Sequence, residues 1–152
     1  MKATSVNYFR FSGYIFFLFV IAAGFSSGNG LNDDVLKYTN QFRKSKKMSG
    51  LIMRSDLNAI AQKHSDDMAK GRRRFGHGGM SQREQQVKKI FSPYGGMAEN
   101  VAYGPKSGKE AVTMWQNSTI HRKNLLGTYK YIGIGTARDR RGVIYYTQIF
   151  VR

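Results

Sequence analysis

The sequence predicts an α+β domain, because apolar residues recur at helical spacing after Asn32 and switch to strand-like runs in the last third, with no internal repeat. Leu31, Val35, Tyr38 and Phe42 stand three or four residues apart, so 32–46 reads as an amphipathic helix. Asn32 or Asp33 can cap it, and the basic cluster Arg43, Lys44, Lys46 and Lys47 complements its C-terminal dipole. Ser49-Gly50 breaks the pattern. A second helix opens at Ser55, carries Leu57, Ile60, Ala61, His64 and Met68 on one face, and closes at Gly71. Residues 72–80 are rich in glycine and arginine and read as a loop, and a short helix over Gln82–Phe91 stops at Ser92-Pro93.

Gly95 to Gly104 reads as a loop feeding a short extended segment. Ser107-Gly-Lys-Glu110 is a capping box that launches a helix with Ala111, Met114, Trp115 and Ser118 facing inward. Trp115 sits at core spacing and reads as a packing anchor. Tyr131–Arg138 and Val143–Val151 are β-rich and joined by Asp139-Arg140-Arg141-Gly142, an antiparallel hairpin. Gly133 and Gly135 leave one face of its first strand bare, which predicts close approach by another element.

Length and composition bound the function. The 152 residues suffice for one domain. There is no cysteine, which excludes disulfides, a thiol nucleophile and thiolate metal sites. Residues 1–28 read as an export signal: Lys2 and Arg10, then the apolar run Tyr14–Ala23, then small residues from Ala22 to Gly28. The run is short for a membrane span, so the expected product is a secreted domain over 32–152 with no membrane span after cleavage, an uncleaved anchor being the alternative reading of the same segment.

The formal net charge of +16 falls to about +14 without the signal. Basic clusters at Arg43–Lys47, Arg72–Arg74, Lys88-Lys89 and Arg138–Arg141 suit an anionic lipid, glycan or cell-wall surface, or simply a solvated exterior. No motif interleaves these charges with aromatics, so no specific nucleic-acid partner is expected.

His77 lies in the flexible run Phe75-Gly-His-Gly-Gly79, His121 follows the Trp115 helix, and Glu99 stands between Ala98 and Asn100. Two imidazoles and a carboxylate suffice chemically for a divalent cation with an open position. Nothing in the spacing proves that they converge, and on the residues alone a loop histidine, a structural carboxylate and a helix-end histidine are the better explanation. No His-Glu-x-x-His helix and no Ser-His-Asp arrangement is present. His64 stands on the apolar face of its helix and reads as a hydrogen-bonded core histidine outside the site. Asn117-Ser118-Thr119 is a glycosylation sequon.

Four segments together resemble the CAP superfamily of cysteine-rich secretory, antigen 5 and pathogenesis-related proteins, in its cysteine-free bacterial-type branch. They are Leu57-x-x-x-Ala61-x-x-His64-x-x-x-Met68 with Phe75-Gly-His77, then Ala98-Glu99-Asn100-Val101-Ala102 with Gly104. Trp115-x-x-Ser118-x-x-His121-Arg122-x-Asn124-Leu125-Leu126 follows, and Ile132-Gly-Ile-Gly135 with Tyr145-Tyr-Thr-Gln-Ile-Phe150 completes the set. The resemblance implies a three-layer α-β-α sandwich with an antiparallel central sheet, a C-terminal hairpin and a solvent-open cavity. It implies that His77, Glu99 and His121 line that cavity, with Tyr145 and Ser118 at the places of the second histidine and second acid of other members. Those departures leave three metal ligands at most, His77, Glu99 and His121, so zinc or a similar cation is an option and no cofactor is required. The function implied is a non-enzymatic extracellular binding protein for lipid, sterol or anionic envelope components, in defence or host interaction. The competing reading is a metal-assisted hydrolase of peptidase type.

Overall fold

The computed structural model describes residues 28–152; the segment before them, where the export signal is expected, lies outside the described residues. Five helices and four strands follow in the order α1 (Gly28–Ser45), β1 (Ile52–Met53), α2 (Ser55–Ala69), α3 (Met80–Ile90), β2 (Met97–Tyr103), α4 (Gly108–Asn117), α5 (Thr119–Leu125), β3 (Tyr131–Arg138) and β4 (Ile144–Val151). The sheet runs β1-β3-β4-β2. It is antiparallel except at the two-residue edge strand β1, which pairs parallel to β3.

Alternation along the strands divides the interior into two layers. Ile132, Ile134, Ile144, Tyr146 and Phe150 face α1, α4 and α5, where they pack with Val35, Ala111, Val112, Trp115 and Leu125. Ile149 and Val151 face the other way, onto Leu57 and Ala61 of α2 and Val87 and Phe91 at α3. This is the three-layer α-β-α sandwich that the resemblance implied. Trp115 is the anchor its spacing suggested: it is buried, and its indole N–H donates to the Val101 carbonyl at 3.1 Å.

The bare glycine face is filled by the α2 backbone. A methyl group on Gly133 would stand 2.4 Å from the Leu57 carbonyl carbon, and one on Gly135 2.2 Å from the Gln62 nitrogen. Only strands without side chains there let the helix axis come so close. The contact also lets α2 supply hydrogen bonds that β1 is too short to give. The Ile134 amide donates to the Asn58 side chain at 2.8 Å, and Gln62 accepts from the Thr136 amide and donates to its carbonyl at 3.1 and 2.8 Å.

Several expectations need correction. Asn32 is no cap, because α1 begins at Gly28; its buried amide instead donates to the Ile134 carbonyl at 3.0 Å. Met114 is exposed, because α4 is rotated so that Gly108, Ala111, Val112 and Trp115 form its inner stripe. Arg43 does not belong to the outer basic field. It is buried and donates to the carbonyls of Ser49, Leu125 and Gly127, tying the end of α1 to the end of α5. The serine half of the capping box forms, with the Glu110 amide donating to Ser107 Oγ at 3.2 Å, while the Glu110 carboxylate accepts from the Lys106 amide, one residue before the cap, at 2.9 Å.

The glycine contact gives a direct test. Gly135→Val should cost about 3 kcal/mol, because α2 must move off the sheet or the strand must bend. Urea unfolding midpoints measure it, and a loss of less than about 1 kcal/mol would show that the two backbones are not in contact.

Candidate functional site

The polar cluster is built where β2, α2, α3 and the 72–80 loop meet. Along β2, Glu99 points to the α2/α3 side, because it shares strand parity with Met97, which packs in that layer. Its side chain has no exposed surface. An ionised carboxylate in that position needs partners, and it has them on both oxygens. Arg83 donates Nε–H to Oε2 at 2.6 Å and Nη2–H to Oε1 at 2.7 Å, a two-pronged fork. His77 Nδ1 lies 2.9 Å from Oε1, and since the carboxylate can only accept, the imidazole donates.

Arg83 comes from the first turns of α3, on the same face as Val87 one turn later. Its remaining Nη1–H donates to the Gly78 carbonyl at 2.8 Å, so one guanidinium holds both Glu99 and the loop that carries His77. The loop can make that turn because Gly76 and Gly79 adopt φ of 128° and 74°, values that side-chain-bearing residues avoid.

His64 is buried as its spacing suggested, with Nε2–H donating to the Gly76 carbonyl at 2.9 Å. It also stands 4.0 Å from Glu99 Oε1, so it adjoins the cluster rather than lying apart from it. His121 does not end the Trp115 helix but sits in α5, a separate helix beginning one residue after Ser118. Two amides anchor that helix to β2. Asn124 donates to the Glu99 carbonyl and to Asn100 Oδ1 at 3.1 and 2.9 Å, and Asn100 donates to the His121 carbonyl at 3.3 Å.

Ser118 is the joint between α4 and α5, and its side chain makes no capping hydrogen bond. Tyr145 pairs with Tyr103 across β4 and β2 and stacks on its ring with centroids 5.8 Å apart. Tyr103 in turn meets Phe75 edge-on at 4.7 Å. Tyr103 and Phe75 are about half exposed, at 52% and 47%. Tyr103 shares Glu99's side of β2, four residues further on, which is about 13 Å along a strand. An aromatic strip therefore shares the sheet face of the polar cluster, further along β2.

The electrostatics follow from burial and pairing. Burial alone would push the Glu99 carboxyl up, but the His77 hydrogen bond and the Arg83 guanidinium outweigh it and hold the group below its ordinary 4.5. His64 is pushed below its ordinary 6.5 by burial first and by the Arg83 charge second. His121 is lowered by burial and then by His77. Both imidazoles are thus poor proton acceptors.

A divalent cation does not fit the donors as they stand. Both Glu99 oxygens are engaged by Arg83, and His77 turns a proton toward Oε1 rather than a lone pair. Among the described residues no group of three His, Asp or Glu side chains is arranged to hold a metal ion.

Fold and cluster together define a three-layer α-β-α domain, and comparison with known proteins places it in a family. The cysteine-rich secretory protein (CAP) family model matches residues 36–150, and the chain belongs to this family. It is 34% identical over 124 residues to YlbC of Bacillus subtilis, described as an uncharacterized membrane protein, covering 78% of this chain and 33% of that one. Among solved structures it is similar to an extracellular protein containing an SCP domain from Bacillus anthracis. There the TM-score is 0.71 and the identity 29%, covering 82% of this chain and 41% of the other. A cysteine-rich secretory protein from Staphylococcus aureus gives a TM-score of 0.66 and 28% identity, covering 84% and 40%. The chain thus spans less than half the length of these relatives. Like the branch it resembles, it has no cysteine. Among the described residues no helix is long and apolar enough to cross a membrane.

Two outcomes test the cluster. Arg83→Ala leaves Glu99 buried without its counter-charge and should cost about 3–5 kcal/mol, whereas Arg83→Ala with Glu99→Leu should recover part of that loss. Denaturant midpoints of the two variants check it; an additive double variant contradicts the pairing. The pH dependence has a fixed sign. His64 and His121 are harder to protonate folded than unfolded, so below 6.5 the unfolded chain binds more protons and stability falls with pH. Glu99 adds a second loss as the pH drops below 4.5 through its lowered folded value. Melting temperatures should therefore decline from pH 7 to pH 5 and faster below, and His64→Gln should flatten the upper part; a flat or rising profile contradicts the assignment.

Proposed function

We propose that this chain is a non-enzymatic extracellular binding protein that recognises an anionic envelope glycan through the Phe75–Tyr103–Tyr145 strip. The strip is the observation that carries the reading: two half-exposed rings and a third stacked behind them on the sheet face that holds Glu99. Flat, partly exposed aromatic rings offer apolar faces at low entropic cost, which suits the C–H faces of sugar rings. The exposed Arg74 beside Phe75 and the net charge, still about +14 by formal counting once the signal is removed, supply attraction to a polyanion. Export, which the N-terminal signal pattern supports, would bring the domain to such surfaces.

Catalysis finds less support. A hydrolase would use Glu99 as base or ligand, but that carboxylate is fully paired and held well ionised. His77 oriented by Glu99 resembles a base with its orienting acid, yet among the described residues no hydrogen bond links it to a nucleophile. The cluster reads best as the rigid floor of a recognition surface.

The test is co-sedimentation with purified anionic cell-wall polysaccharide at rising salt. Wild type should be retained at low salt and released as the ionic strength rises past about 0.2 M, where surface attraction is screened. Phe75→Ala with Tyr103→Ala should weaken retention about tenfold at fixed salt, since each lost ring contact is worth roughly 0.5–1.5 kcal/mol. Binding to acidic lipid vesicles but not to glycan would move the ligand to lipid; binding to neither, or retention unmoved by salt and by both substitutions, would sink the proposal.

A further inference from the structure

We propose that the groove between α2 and α3 is a second binding site, for a protonated phosphate group, either free phosphate or the phosphate monoester end of a larger molecule. A cavity of about 70 Å³ opens there, with room for more than one water-sized group. Arg83 and His64 form part of its wall, but Glu99, His77 and the rings of the aromatic strip do not. The cavity is therefore a different place from the surface proposed for glycan, and it does not depend on that reading.

Arg73 is the charge that asks for a partner. Its backbone amide donates to the Asp67 carbonyl at 3.0 Å, but among the described residues its guanidinium has no acceptor. The guanidinium lies on the backbone of the turn before α3: a methyl group on Gly79 would stand 2.8 Å from Nη1 and 2.9 Å from Cζ. Gly79 thus serves both its left-handed φ of 74° and the seating of Arg73. It is also the N-cap of α3, and no side chain caps that helix. A helix start carries orphan amides and partial positive charge, so a guanidinium there has the wrong sign. An anion held between the two satisfies both. The other charges on the wall are already spent. Asp67 is paired with Lys63 at 3.0 Å and Arg72 at 2.7 Å, and Arg83 is paired with Glu99.

His64 narrows the class of anion. Its side chain is 1% exposed, its Nε2–H is spent on the Gly76 carbonyl, and burial holds the ring neutral. Nδ1 therefore carries a lone pair, and it has no partner. A buried acceptor left unpaired costs stability until a donor reaches it. Sulfate and carboxylates offer acceptors alone, whereas a singly protonated phosphate offers one P–OH beside its anionic oxygens. The P–OH donates to Nδ1, and the anionic oxygens accept from Arg73 and the first amides of α3. Gln82 and Gln86 also line the cavity and add neutral donors.

The experiment is calorimetric titration with sodium phosphate, glycerol 1-phosphate and sodium sulfate at fixed ionic strength. It is run at pH 6, where a phosphate monoester still carries its second proton about half of the time. Wild type should bind one phosphate per chain, at least about tenfold more tightly than sulfate. Arg73→Met should weaken phosphate at least about tenfold, while Arg140→Met, which removes an exposed charge from the β3–β4 turn, should leave it within about twofold. Glycerol 1-phosphate bound as tightly as phosphate assigns the site to monoester ends, and weaker binding assigns it to the free ion. Nitrogen-15 amide shifts during the wild-type titration give a readout that needs no variant, and they should centre on Ser81 and Gln82. Three results overturn the proposal: no binding of either phosphate, sulfate bound as tightly as phosphate, or equal losses in Arg73→Met and Arg140→Met. Amide shifts scattered over the basic surface do so as well. Glycan retention is scored on rings outside this cavity, so either reading can fail without the other.

Discussion

The buried pair between Arg83 and Glu99 is the constraint on which the functional end of the domain depends. Glu99 has no exposed surface, and a lone carboxylate there would be protonated or would open the fold. Arg83 prevents both outcomes, and it does so from α3, so the third helix is locked to β2 across the α2 layer. The same side chain holds the Gly78 carbonyl and so fixes the loop that presents His77 and Phe75. One guanidinium therefore sets the strand, the helix and the loop in one register.

The rest of the architecture supplies the rigid frame that this pair needs. On one side, α2 lies directly on the glycine face of β3 and completes its hydrogen bonding through Asn58 and Gln62. On the other, a buried polar chain runs from Thr39 of α1 through Gln148 and Asn100 to Asn124, and it pins α5 with His121 against the edge of β2. Each amide in that chain has a partner, so the network orders α5 without leaving orphan donors. Function and stability are coupled here, because loosening either layer moves the residues around Glu99.

Much of this was legible in the sequence. Strand and helix periods gave the α+β class, and Gly133 and Gly135 announced the contact with α2 before any element was placed. His77, Glu99 and His121 could be named as candidates, while their convergence rested on the resemblance and not on spacing. What stayed hidden has physical reasons. β1 is two residues long and α5 only seven, too short for either period to register. Arg83 is not legible because a basic residue in a short helix rich in Lys and Gln looks like solvent-facing charge. The one signal was its place four residues before Val87, on the buried stripe, where an arginine needs an acid. Arg43 hid in the same way, inside a run of four basic residues. The burial of His64 follows from its place on the apolar face of α2, but nothing in its spacing says that the loop at Gly76 brings it beside Glu99.

The account stands on the claim that Arg83 and Glu99 form a closed, water-excluded pair in the folded protein. Nitrogen-15 NMR of the arginine Nε–H groups at neutral pH tests it most directly. The account predicts one Nε–H resonance, assigned to Arg83, that is shifted downfield and exchanges with water far more slowly than those of the exposed arginines, and that loses both properties in Glu99→Gln. An Arg83 Nε–H that exchanges as fast as that of Arg74 or Arg140, or that is unmoved by Glu99→Gln, would contradict it.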